Sequence, residues 1–511
     1  MRIIFFAILL CGLAFSSPAV AQKETMTLTG ETTPNGVREG VWYYVHGTDS
    51  LVAGIYQDGL KEGMWNSYTK AGRLYKKVSY KKGKKEGGEQ QIYANGQLFL
   101  ECVYKNDKLN GLFNTYHENG KLKNSGAYVF GKKEGKWVFY NEAGKKIKEV
   151  PYKNGLIEGN VNTYNEWGNI ASAAQYKADK PDGQYVEMDN AGNVITRGTY
   201  INGKESGTWK YQYPFSLQKY KEETFENGLI QGKQTTYFES GRKESVFHYV
   251  NDTVQGAAAM FYENGNIYKK INYKDGLESG TYIEYFDNKA RSAVGKYKEG
   301  LKTGNWEFFY ENGMTSEAGE YKYDLRNGLW KAFYRDGSLK SEGHYVDDLK
   351  GGQWFYYHPD KSISSIGTYL AGEEEGLWGY FHTNGALQTE LTYENGLLKK
   401  CTDPISSKGK ALKKGTFVDG NGTLIFYNEE DKKVSEENYA NGLKEGKSRL
   451  FYPNGKVKAE GDFIKGKKNG LWMFYQKNGR IESNGSYKND QPVGKWRYYD
   501  KSGTLINEKD F

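Results

Sequence analysis

Six histidines, three cysteines and 63 acidic side chains are the raw material from which this 511-residue chain would build a catalytic or metal centre. Their spacing argues against one. His46, His117, His248, His344, His358 and His382 are scattered, and none stands in an H-E-x-x-H pattern. His358 and His382 take the same place in adjacent repeats, which at two strands per repeat sets them about 10 Å apart. They read as two solvated side chains beside turns, a surface metal site being the alternative. No serine lies in a G-x-S-x-G elbow. Glu39, Glu62, Glu86, Glu134, Glu158, Glu375 and Glu445 all precede a recurring glycine. A residue present in unit after unit serves the unit, so these read as rim charges pairing with nearby lysines. Cys102 and Cys401 lie in no C-x-x-C and read as isolated buried thiols. The expectation is no enzyme, no metal and no cofactor.

What remains is surface chemistry. Lysines cluster in turns, at Lys81-Lys82-Gly83-Lys84-Lys85, Lys132-Lys133 and Lys467-Lys468. These fall at one end of the hairpins and should line one rim. Such a rim either meets an anionic polysaccharide or lipid head groups, or is a solvated edge that discourages aggregation. Ten of the eleven tryptophans lie two residues after the recurring glycine. Aromatic rows of this kind either hold the units together or stack on sugars and protein partners. Trp167 is the exception, in the turn Asn165-Glu166-Trp167-Gly168, and is the first aromatic to suspect of contact. The formal net charge of +8 is small for the length, and Lys and Glu are interleaved, so no nucleic-acid partner is expected.

The elements that position these residues follow from a repeat. The recurring glycines run from Gly40 through Gly63, Gly87, Gly111 and Gly135 to Gly376, and resume at Gly446, Gly470 and Gly494, at intervals of about 24 residues. The unit anchors are clearest at Gly135-Trp137-Tyr140, Gly304-Trp306, Gly328-Trp330, Gly470-Trp472 and Gly494-Trp496. Asn-Gly pairs at Asn95-Gly96, Asn119-Gly120, Asn264-Gly265, Asn312-Gly313 and Asn478-Gly479 signal tight primed hairpin turns, which need positive φ at both residues. A second turn, such as Lys153-Asn154-Gly155 or Lys298-Glu299-Gly300, leads into the next unit. Each unit is strand, turn, strand, turn. With 64 Gly, 44 Tyr and only nine Pro, the composition suits short strands and little aliphatic core. The predicted fold is all-β: tandem antiparallel hairpins forming an elongated, twisted, single-layer ribbon, each unit advancing about 10 Å.

Arg2, an apolar run from Ile3 to Phe15 and Ala19-Val20-Ala21 read as an export signal cleaved after Ala21. Cys11 follows Leu10 inside the apolar run, which argues against a lipoprotein. No later run is long enough to anchor the chain in a membrane as a helix. The expected domains are residues 1–21 as signal, 22–398 as a long array, 399–422 as a degenerate repeat or hinge, and 423–511 as a short array.

The phrase Tyr-x-x-Gly-x-x-x-Gly-x-Trp-x-x-Tyr, at Tyr128 through Tyr140 and with Phe309 closing it at Tyr297 through Phe309, resembles the MORN repeat in its bacterial variant form. The resemblance covers nearly all of the chain after the signal except about 399–422. It implies a hairpin array used for interaction or assembly, and some members of the variant family are antitoxin-like. The Trp-x-x-Tyr and glycine-turn pattern also resembles aromatic cell-wall-binding repeats, and Tyr499-Asp500 through Leu505 resembles the Tyr-Asp repeats of large secreted toxins. The expected function is therefore an exported, non-enzymatic scaffold in the envelope or outside the cell, binding a protein and possessing an immunity-like role in one version. The alternative is a glycan-binding surface protein that uses the aromatic rows.

Overall fold

A computed structural model of the chain describes residues 28–46 and 50–511. The expected signal over residues 1–21, Cys11 and the cleavage after Ala21 lie outside the described residues. Every regular element among the described residues is a β-strand, and sequential strands pair antiparallel. The chain divides into two compact units, Met1–Leu229 and Ile230–Phe511.

In the first unit the hairpin logic is plain around Leu122–Val129, Lys132–Tyr140 and Lys146–Lys153. Val129 pairs with Lys132 across the turn, and Trp137 pairs with Val150 on the following strand. The register slips between Glu134 and Val138, where Gly135 sits at φ +71°. This is a bulge, and only glycine takes that conformation without steric cost. It accounts for the recurring glycine: the kink re-aims the residue two positions later, Trp137, onto the inner face. Strands pack appreciably only on their sequence neighbours, so the sheet is one layer thick, as the repeat predicts.

The second unit repeats these hairpins up to Leu397–Cys401, and a nine-strand sheet then runs from Gly422–Tyr427 to Leu505–Asp510. Residues 399–422 lie inside this unit. The Ser406 N–H donates to Lys410 C=O and the Gly409 N–H to Ser406 C=O, reproducing the His382–Ala386 turn one repeat earlier. Phe417 then packs with Leu424, Leu398, Leu391 and Trp378 in the largest buried cluster of the unit. The segment thus keeps a repeat's turn and fills a core.

The turns correct one expectation. In Asn119-Gly120 and its four counterparts only the glycine has positive φ, +80° at Gly120. The His117 N–H donates to Lys121 C=O around the loop, which makes a wider turn closed by a left-handed glycine. The asparagine is there for its side chain: Asn119 Nδ2 donates to Glu142 C=O, in the corresponding turn of the next repeat, at 2.8 Å. The tight primed turns are the second set, with Asn154 at φ +52° and Gly155 at +87°.

Candidate functional site

The inner face of each unit is an aromatic ladder. All ten tryptophans in the repeated slot are at most 5% exposed. Each lies flat over a glycine of the preceding strand, as Trp137 does over Gly126 and Trp306 over Gly295, and a Cβ on that glycine would overlap the indole. Tyrosines stand edge-on to either side. Tyr128 and Tyr152 meet the Trp137 ring at centroid distances of 5.3 and 6.1 Å, at 90° and 74°. Except in Trp65 and Trp209, the indole N–H is also engaged, donating from Trp137 Nε1 to Ala127 C=O at 3.2 Å and from Trp306 Nε1 to Lys296 C=O at 3.2 Å. The same geometry holds at the other sequence-named anchors, Trp330, Trp472 and Trp496.

The lysine turns present only part of their lysines to solvent. Lys84, Lys132 and Lys467 are exposed, but each following lysine folds back over the ladder. Lys133 Nζ lies 4.5 Å from the Trp137 ring centre and 4.7 Å from that of Tyr152. Lys468 sits likewise between Trp472 and Tyr487, at 4.8 and 5.2 Å. Burial there pulls the Lys133 ammonium below its usual range, and the ring faces compensate in part. Lys85 takes the same inward position over Tyr104 at 4.5 Å. Only alternate lysines therefore face solvent, because a strand sends successive side chains to opposite faces.

The glutamates before the recurring glycines are not paired with lysines. Glu134 Oε2 accepts the backbone N–H of Asn154 at 2.7 Å, in the primed turn one repeat on. Glu39, Glu62, Glu86, Glu158, Glu375 and Glu445 do the same for Asp58, Lys82, Asn106, Ala178, Asn395 and Lys465. The acceptor satisfies an N–H that the left-handed turn turns away from the ladder of strand bonds. A reciprocal staple appears wherever the second turn residue is Asp instead of Gly: Asp107, Asp179, Asp252, Asp324, Asp348 and Asp490 accept from Lys85, Ile157, Ile230, Lys302, Arg326 and Lys468. We expect Glu134→Ala to cost about 1 kcal/mol. Amide hydrogen exchange at Asn154 should lose protection while the neighbouring strand amides keep theirs.

His117, His358 and His382 are engaged in the same way, whereas His248 and His344 are exposed. His117 Nε2 and His358 Nε2 bond to Tyr140 C=O and Phe381 C=O, at 3.0 and 2.9 Å, in a slot where other units use a tyrosine hydroxyl, as Tyr310 does toward Phe333 C=O. His382 is fully buried, with its ring nitrogens against Ile405 C=O and Glu429 Oε2. Cys102 and Cys401 are buried free thiols, and burial pushes Cys102 up to about 11. No group of His, Cys, Asp or Glu among the described residues has metal-site geometry. Trp167 is 67% exposed at its turn. Sequence reasoning missed Phe215, which is still more exposed, in a turn between Tyr213 and Gln218 that is one residue longer than its neighbours.

One of the tryptophan slots is charged. Glu89 stands where other units have Trp, is 2% exposed, and meets Lys85 Nζ at 2.8 Å and Lys76 Nζ at 2.9 Å. Burial pushes its carboxyl up, but hydrogen bonds from Lys85, Gln91 and Lys76 outweigh that and hold it below the usual carboxylate range. A depressed folded pKa stabilises above the unfolded value, and the stabilisation disappears as pH falls through the folded one. Glu89→Gln should therefore cost about 2 kcal/mol at neutrality. The gap from the parent protein should close in acid, as read from urea midpoints across pH.

The fold and the site together define a class: an open, single-layer array of antiparallel hairpins whose polar and aromatic groups bind each unit to the next. Within that class, seven segments of the chain match one family model. The MORN repeat variant model matches residues 109–129, 133–154, 255–275, 302–323, 326–347, 374–395 and 444–465, so the chain carries MORN repeats of the variant type. No curated protein matches the chain. Among solved structures, the TcdB2-TccC3-Cdc42 crystal structure aligns with 96% of this chain and 31% of its own, at 9% identity and a TM-score of 0.14. The Tc holotoxin pore of Photorhabdus luminescens aligns with 91% of this chain and 31% of its own, at 10% identity and a TM-score of 0.11. The chain spans about a third of the length of those chains, and scores this low establish no shared overall fold.

Proposed function

We propose that the chain is an exported, non-enzymatic repeat scaffold that binds a protein partner in the cell envelope or outside the cell, in the manner of an immunity or neutralising protein. The observation that carries this reading is that the chemistry-bearing side chains of the repeat are engaged in holding unit to unit. Tryptophans lie under tyrosines and lysines, glutamates cap turns, and histidines bond carbonyls of the following repeat. The residues free to act are those that vary along the array and face solvent, which suits recognition of a macromolecular surface. The glycan reading relied on the tryptophan rows, and these present no free ring face. The residues 1–21 support export.

Co-sedimentation of the chain beginning at Gln22 with envelopes of its own organism tests the reading. Binding to intact envelopes should be lost when the envelopes are stripped with protease. Binding that survives stripping would overturn it in favour of glycan or lipid. The export clause is checked by N-terminal sequencing of the protein recovered outside the cytoplasm, which should begin at Gln22.

A further inference from the structure

The outer face of the first unit carries a feature that the repeat does not require. The residue between the bulge glycine and the tryptophan slot points outward, and over the first units it is apolar: Val41, Met64 and Leu112. Val41 pairs with Ile55, and Val103 lies opposite Gly88. These five apolar side chains are each 38–64% exposed. They form a row that crosses the strands and runs over seven of them, about 29 Å at the spacing of paired strands. The row is interrupted at Ser79, opposite Met64, and at Gly88, which has no side chain in a slot that Met64 and Leu112 fill in the flanking units. The result is a notch of about 430 Å³ between them, with Lys77 and Glu101 at its border. Apolar side chains aligned in this way are uncommon on a monomer's surface and mark contact sites.

Charge is concentrated beside the row as well, in two successive turns of a kind that recurs at Lys177 and Lys180. Lys81 pairs directly with Lys84 across one primed turn, and Lys105 with Lys108 across the next, all four exposed on the same face as the row. Like charges directly opposed in a sheet are destabilising. The carboxylates Glu62, Glu86 and Asp107 beside these turns are already engaged with backbone amides. An anionic partner lying along this rim would relieve the repulsion.

We infer that this face binds an acidic amphipathic helix of a protein partner, with one bulky apolar side chain seated in the Gly88 notch. The row runs across the strands, so an extended peptide adding to a sheet edge does not match it. A helix does: about 20 residues span 30 Å, and its apolar stripe returns every 5.4 Å, close to the strand spacing. The lysines on one side select acidic residues flanking that stripe. The notch favours a protein side chain over a membrane surface, because a bilayer offers no single knob to fill it. The inference rests on the protein-binding reading above and names the chemistry of the partner.

The test uses the full chain and a synthetic peptide of about 20 residues with a Leu/Phe stripe and Glu flanks. Three proteins are compared by fluorescence anisotropy: the parent, Gly88→Leu and Lys84→Glu. A Cβ on Gly88 meets nothing within 4 Å and its φ lies outside the left-handed region, so Gly88→Leu should fold normally. Lys84→Glu removes a like-charge pair and should not lose stability. Saturable binding by the parent, weakened about tenfold or more in both variants, is expected. Equal binding by Gly88→Leu, or no saturable binding by the parent, would overturn the inference. So would binding to phosphatidylserine vesicles in place of the peptide. If envelope binding is protease-sensitive yet identical in the variants, the scaffold reading stands and this face is not its site.

Discussion

Trp306→Ala should lower stability by about 3–5 kcal/mol, among the largest losses open to a single substitution in this chain. Trp306 is 1% exposed and lies at the centre of a cluster with Tyr282, Ile271, Ala258 and Ala293. Its ring meets Tyr297 edge-on at 5.3 Å, stacks on Phe308 at 5.8 Å, and carries Lys302 Nζ at 4.9 Å. Its indole N–H donates to Lys296 C=O. Removing it leaves a cavity, strips a cation of its ring, and frees a carbonyl, all in a one-layer sheet with no second layer to close over the gap. Because each unit is stabilised by its neighbours, the loss should spread to both adjoining hairpins. Urea unfolding followed by tryptophan fluorescence should show a shifted midpoint, and hydrogen exchange should place the new opening between Ile267–Lys274 and Leu325–Phe333. Trp167→Ala is the control. That ring is 67% exposed, so its removal should leave the midpoint unchanged within about 0.5 kcal/mol.

The repeat was legible because its signals are local and recur. A glycine that must take positive φ, such as Gly135, cannot drift, and a tryptophan that follows it by two residues marks the phase of ten units. The strand and turn boundaries then follow from alternation. What escaped sequence reading is what joins one repeat to the next. Glu134 reaches Asn154, and Asn119 reaches Glu142, across 20 and 23 residues. Read locally, a glutamate beside lysines is an ion pair, and an asparagine before glycine is a turn residue. Only the sheet register shows that both side chains point to the next unit. The outward row was hidden for the same reason. Val41, Met64, Gly88 and Leu112 look like variable fillers in sequence, and become a stripe with a gap only when the strands are set side by side. The glycine beneath each ladder tryptophan did leave a trace. Gly126 precedes Trp137 by eleven residues, as Gly54 does Trp65 and Gly319 does Trp330.

That trace yields the second large prediction. Gly126→Val should cost about 3 kcal/mol, because its side chain enters the space of the Trp137 ring and the sheet cannot part without breaking strand bonds. Backbone strain is not the cause, since Gly126 is absent from the residues with positive φ. Trp137→Val alone should cost about as much, through the cavity it leaves. The double variant Gly126→Val with Trp137→Val should cost less than the sum of the two by about 1–3 kcal/mol, as directly packed residues do. The chain already contains that combination one unit further on, where Val150 and Val161 fill the two places and both are buried. Other units solve the same volume differently, with Cys102 under Phe113 and Ile271 beside Tyr282. Urea midpoints for the parent, the two single variants and the double variant decide the matter. If the effects simply add, the glycine is not there to receive the indole, and the ladder's match of small residue to large ring would need another physical cause.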